Sequence, residues 1–183
     1  MIGAQNRDRL TRLALDSIEH GVRHGVELTI DPLEWPDELR EIQASFVTLQ
    51  THGELRGCIG SLVATRPLVR DVSQHAHAAA FKDPRFDAIT LSELSVLEIH
   101  ISVLSNPTPI NFSSESELLG LVQPGEDGLV LQAGSNRATF LPDVWQKLPE
   151  PGQFLAQLKL KAGLAKDYWS DDLTIERYTT ESW

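Results

Sequence analysis

The chain has 183 residues, with 16 Lys and Arg against 26 Asp and Glu for a formal net charge of −10. Such an acidic balance argues against generic nucleic-acid binding, which rests on Lys and Arg displacing phosphate counterions, and against docking on anionic lipid. No apolar run approaches the roughly 18 residues that span a bilayer, the opening residues carry no secretory h-region, and a single cysteine cannot form an internal disulfide, so a cytoplasmic protein is expected.

The first element reads as a helix. Leu10, Leu13, Ala14, Ser17, Ile18 and Gly21 follow the i, i+3, i+4 spacing of one buried stripe, and Gly21 and Gly25 are expected to end it. Residues 27–40 contain Pro32 and Pro36 and read as a loop with one short helical turn. Two strands follow over 44–50 and 54–62, joined through Thr51-His52-Gly53 as a hairpin. Pro67 suits the first turn of a helix over 67–81, whose stripe is Leu68, Val69, Val72, Ala76, Ala79 and Ala80, with His77 looking outward. In 97–104, Ile99, Ile101 and Val103 alternate with Glu98, His100 and Ser102, the signature of a strand with one core face. A short acidic helix near 114–121, a second hairpin over 128–133 and 136–141, and a helix over 151–164 complete the regular elements. The tail, with Trp169, Tyr178 and Trp183, is too aromatic for a solvated linker and is expected to pack. No stretch reads as an interdomain linker, so residues 1–183 are taken as a single domain, with two lobes sharing one sheet as a variant of that reading. A hairpin followed by a helix occurs at both 44–81 and 128–164, which suggests two related units in one curved sheet, with Arg56 and Arg137 in equivalent places.

The segment Leu55-Arg56-Gly57-Cys58-Ile59-Gly60 is the most informative. In an extended strand Arg56, Cys58 and Gly60 share one face. An arginine beside a cysteine stabilises thiolate, the nucleophilic form, and the flanking glycines let a ligand or another backbone come close. Cys58 equally fits a small buried hydrophobe, with Gly57 and Gly60 as packing sites. Thiol catalysis also needs a base, and His100, on the polar side of its strand, is the best partner, ahead of His75 and His77. In Asp83-Pro84-Arg85-Phe86, Arg85 could project into a cleft with Asp83 pairing it; a helix-ending turn with a surface ion pair is the plainer alternative. No metal site or cofactor is expected. His20 and His24 have i, i+4 spacing, but Gly21 and Gly25 would end the helix there; there is no HExxH or CxxC, and no P-loop or dinucleotide fingerprint.

Taken together, Ala44-Ser45-Phe46-Val47-Thr48-Leu49, Leu55-Arg56-Gly57-Cys58-Ile59-Gly60, the 78–86 segment ending in Asp83-Pro84-Arg85-Phe86, the 98–105 strand, the 139–145 and 161–164 segments and Trp169 resemble the AMMECR-type domain family, protein A of the AmmeMemoRadiSam system. The resemblance implies a cytoplasmic α+β domain with a strongly bent, partly barrel-like, mainly antiparallel sheet, flanking helices, and a cleft near the Cys58 strand. It implies association with a Memo-like protein and a radical-SAM enzyme, and it places the family signature on Arg56, Gly57, Cys58, Gly60, Asp83, Arg85 and Phe86. His100 departs from the family pattern. Two functions stay open: an accessory component binding a peptide or cofactor edge on the Gly-rich strand, or an enzyme using Cys58 as nucleophile or redox thiol with Arg56 and Arg85. RNA contact is a third, weaker option, opposed by the net charge.

Overall fold

Residues 1–183 are described by a computed structural model. In chain order they form α1 (Ala4–His24), α2 (Asp37–Arg40), β1 (Ala44–Thr51), β2 (Glu54–Gly60), α3 (Leu68–Phe81), β3 (Leu97–Leu104), β4 (Thr108–Pro109), α4 (Glu115–Leu121), β5 (Gly128–Ala133), β6 (Asn136–Phe140), α5 (Pro151–Lys161), β7 (Thr174–Tyr178) and β8 (Thr180–Ser182). The chain divides into two units, Met1–Leu104 with Glu181–Trp183, and Ser105–Thr180. The fold is α+β with antiparallel pairing, and the strands are shared between two four-stranded sheets, β2-β1-β3-β8 and β4-β7-β5-β6. No helix is long and apolar enough to cross a membrane.

In the first unit α1 buries the expected stripe, Leu10, Leu13, Ala14, Ser17, Ile18 and Gly21. The helix does not end at Gly21, as the sequence suggested, but runs on through His24. Gly25, at φ 72°, closes it in the left-handed conformation and donates its N–H to Gly21 O. Gly21 sits inside the helix because α3 crosses there: a Cβ at Gly21 would lie 2.4 Å from the Phe81 ring and 2.9 Å from His77. That contact also corrects the outward placement of His77, which is 6% exposed and packs against Phe81 with ring centroids 4.7 Å apart. Ser17 Oγ donates to Ser73 O at 2.8 Å, tying the two helices together.

β1 is the middle of the architecture, pairing β2 on one side and β3 on the other. Its Val47 and Leu49 are fully buried, as is Ile101 of β3, and all three join the α1 and α3 stripes in one core. The β1–β2 turn places His52 at φ 55° and Gly53 at φ 77°, two left-handed residues whose twist matches the strands. Asp71, in the first turn of α3, is fully buried and accepts from Ser45 N at 2.9 Å and Ser45 Oγ at 2.7 Å. His75 Nδ1 lies 3.1 Å and Arg66 Nε 3.2 Å from the same carboxylate, and His75 Nδ1 also lies 3.4 Å from Ser45 Oγ, so His75 helps fasten α3 to β1. The C-terminal tail packs as expected: Trp183 exchanges both backbone hydrogen bonds with Ile101, and its indole donates to Thr11 Oγ1.

The second unit packs α5 on one face of its sheet, with Phe154, Leu155 and Leu158 meeting Leu129, Leu131 and Ile175. Trp145 stacks on Phe154 at 3.8 Å and 10°. Lys159 is wholly buried, its ammonium on Glu115 Oε2 at 2.9 Å. Both hairpin-plus-helix stretches exist, yet Arg56 and Arg137 do not correspond. Arg137 stands in regular register opposite Gln132 and is exposed, whereas Arg56 falls at a break in the β1–β2 register.

Candidate functional site

Alternation along three strands builds one half-exposed sheet face. Ser45, Val47 and Leu49 of β1 point to the core, so Phe46, Thr48 and Gln50 point the other way. Thr48 is paired to Cys58 on β2 and to His100 on β3, which puts the three residues in one row across the sheet. Thr48 Oγ1 and Cys58 Sγ share a hydrogen bond at 3.3 Å. Cys58 is half-buried and His100 is exposed. With strands about 4.8 Å apart, two such spacings put the backbones of Cys58 and His100 at roughly twice that distance, with the Thr48 side chain between them. The structure thus brings the two sequence candidates onto one face without making them a dyad.

Gly57 and Gly60 work on opposite faces. A Cβ on Gly57 would meet Ala79 O at 2.2 Å, so glycine is what lets α3 lie against β2. A Cβ on Gly60 would meet the Phe46 ring at 2.3 Å, so glycine there leaves room for Phe46 to lie across the strand. Both are packing sites that shape the surroundings of Cys58.

β2 is an edge strand, and its outer rim is closed by side chains. Asp83 Oδ2 accepts from Cys58 N at 2.9 Å, and Arg85 Nη2 donates to Cys58 O at 3.4 Å. The two side chains occupy the hydrogen-bonding positions a neighbouring strand would take, which keeps that edge from pairing with another chain. Because the Cys58 amide points outward, Cys58 and Thr48 form a non-hydrogen-bonded pair, the kind whose side chains stand closest. Asp83 is buried and also accepts from Arg85 N, Nε and Nη2 at 3.1, 2.9 and 2.7 Å. Those Arg85 bonds foremost, against the opposing effect of burial and with help from the Cys58 and Arg85 amides, hold its carboxyl well below the usual carboxylate range. The Arg85 guanidinium, raised in turn by Asp83, lies 5.4 Å from the Phe86 ring centre.

Arg56 has a different task from the one its parity suggested. The β1–β2 register shifts between Leu49, opposite Gly57, and Gln50, opposite Leu55, leaving Arg56 as the extra residue of a bulge. Its guanidinium donates to Glu93 Oε1 and Asp87 O, each at 2.8 Å. Arg56, helped by Thr90 against burial, lowers the Glu93 carboxyl to about 2. Arg56 therefore pins the 87–93 segment, and the guanidinium bonded to the Cys58 backbone is that of Arg85.

The arrangement offers a half-buried thiol whose backbone is hydrogen-bonded on the outer edge, with a hydroxyl neighbour and a nearby arginine. No base lies within hydrogen-bonding reach of Cys58 Sγ. Phe46 and Thr48 lie in the 44–49 segment that carries the resemblance, but sequence reasoning gave them no role at the site; β-pairing is what places them on the Cys58 face. The site is a sheet face. A cavity of about 480 Å³ is formed instead by second-unit residues that include Phe112, Trp169 and Glu176.

The AMMECR1 family profile matches residues 11–183. A protein of Thermococcus onnurineus is 41% identical over 182 residues, covering 94% of this chain and 86% of its own length. One of Thermotoga maritima is 38% identical, with 92% of each chain covered. The crystal structure of the uncharacterised protein PH0010 from Pyrococcus horikoshii superposes with a TM-score of 0.80 at 34% identity, over 94% of this chain and 88% of that one.

Proposed function

Since this chain belongs to the AMMECR1 family, we propose that it serves as a cytoplasmic binding and accessory component, acting with a Memo-like protein and a radical-SAM enzyme in a modification pathway. The observation that carries this reading is the row Cys58–Thr48–His100: the thiol meets a hydroxyl, and the imidazole stands a strand further on. A face with a half-exposed Phe46 and several hydrogen-bonding side chains, backed by a fixed edge, suits recognition better than turnover. Strand addition at Cys58 does not fit, because Asp83 and Arg85 already fill the edge positions; the partner meets the face.

Sedimentation of the purified protein with a Memo-like protein and a radical-SAM enzyme from the same genome tests this. A complex with either partner, lost in Phe46→Glu and kept in Arg137→Glu, is expected. Absence of any complex overturns it. A thiol-enzyme reading draws support from Arg85, 54% exposed and beside the Cys58 carbonyl, where it could hold an anionic substrate group. Cys58→Ser separates the two: binding survives in both readings, but pathway turnover is lost only if the thiol reacts.

A further inference from the structure

Two histidines outside the site described stand together at the end of α1. Sequence alone argues against a metal role for them, because a helix ending at Gly21 would not hold both on one face. Instead α1 is continuous to His24, so His20 and His24 lie one turn apart on one side of a regular helix. Their rings are 4.5 Å apart between centroids, tilted by 46°. An imidazole bound to a transition metal holds it about 2.0–2.1 Å from nitrogen, which puts each ring centre about 3.2 Å from the ion. Two such rings have centres about 4.5 Å apart when they stand at a right angle around one ion, as in square-planar or octahedral coordination, and about 5.2 Å apart at the tetrahedral angle, so the spacing found fits the right-angled arrangement.

The electrostatic setting agrees. His24 occupies the last turn of α1 and His20 the turn before it, near the carbonyl end of the helix, which favours a cation. The nearest cationic side chain on the helix, Arg23, is paired to Glu19 at 2.7 Å. His77 and Glu27 are engaged elsewhere, His77 Nδ1 facing Glu27 at 3.8 Å and Glu27 bonded to Lys82 at 2.7 Å. No third His, Cys, Asp or Glu joins the pair, so water would complete the coordination.

We propose that His20 and His24 chelate a divalent transition-metal ion, of the copper or nickel type that imidazole binds in square-planar or octahedral geometry, and thereby staple the C-terminal turn of α1. Calorimetric titration of the full chain with Ni²⁺ tests it, Ni²⁺ being chosen because copper would oxidise the Cys58 thiol. One ion per chain is expected, at least about tenfold weaker in either His20→Ala or His24→Ala, together with a Ni²⁺-dependent rise in melting temperature that both variants lose. Both side chains lie toward the surface and alanine favours helix, so the variants should fold, which circular dichroism checks. No binding at millimolar Ni²⁺, binding unchanged in both variants, or binding lost in Cys58→Ser instead would each overturn the proposal.

Discussion

Asp83 accepts the backbone N–H of Cys58 at 2.9 Å, so a side chain 25 residues along the chain takes the place of a neighbouring strand. Removing it in Asp83→Ala leaves a strand amide and the Arg85 guanidinium without their acceptor. The expected loss is about 1–3 kcal/mol of stability, read as a lower denaturation midpoint. Arg85→Ala leaves the buried carboxylate short of its main partner, but it keeps the Cys58 amide bonded to Asp83 and opens a path for water where a side chain 54% exposed stood, so it should cost less than Asp83→Ala. An equal or larger loss for Arg85→Ala would mean that the arginine, not the carboxylate, holds the edge.

Acid should loosen the same region. Asp83 and Glu93 both have folded-state carboxyls held below their ordinary 3.8 and 4.5, by Arg85 and Arg56 respectively. The unfolded chain then binds more protons, so their contribution is present above those ordinary values and is lost as pH falls below them. For Glu93 the loss runs from 4.5 down to about 2. Urea midpoints of wild type should drop between about pH 5 and pH 3, and Glu93→Gln should flatten that fall.

Gly57 and Gly120 give opposite forecasts for the same substitution. Gly57→Ala forces a methyl to within 2.2 Å of Ala79 O, a backbone atom that cannot move without α3. A destabilisation of at least about 1–3 kcal/mol follows. Gly120, in α4, has nothing within 4 Å of a built Cβ. Alanine there should be neutral or stabilise by up to about 1 kcal/mol. Melting curves of the two variants check both signs.

His77 supplies a second pH effect, nearer neutrality. Burial against α1 lowers it from the ordinary 6.5, outweighing the attraction of Glu27, while Lys82 and His20 push the same way as burial. Its neutral form belongs to the folded state, so stability is complete above 6.5 and declines as pH falls below it. His77→Phe, which keeps a ring against Phe81, should remove that decline when midpoints are compared at about pH 7.5 and pH 5.5.

Much of the fold was legible in single residues. The alternation of Ile99, Ile101 and Val103 with Glu98, His100 and Ser102 is the β3 of the structure, because a half-buried strand writes its two faces into a period of two. Arg56 shows where such reading stops. Its shared face with Cys58 followed from parity, but the bulge depends on how β2 registers against β1, a pairing of partners that no local pattern encodes. Gly21 misled for a related reason, since a glycine that makes room for Phe81 looks the same in sequence as one that ends a helix. The Asp83–Cys58 bond and the interposed Thr48 are likewise long-range facts.

The separation of Cys58 from His100 by Thr48 can be tested directly, because the chain holds one cysteine and alkylation reports on it alone. The measurement is the rate constant for iodoacetamide modification of the folded protein, in wild type and in His100→Ala. Equal rates are expected, with Cys58 reacting slowly but without unfolding because it is only half-buried. A fall of about a hundredfold or more in His100→Ala, the size of a general base's contribution, would make the imidazole the activating base and contradict the binding role argued for this face.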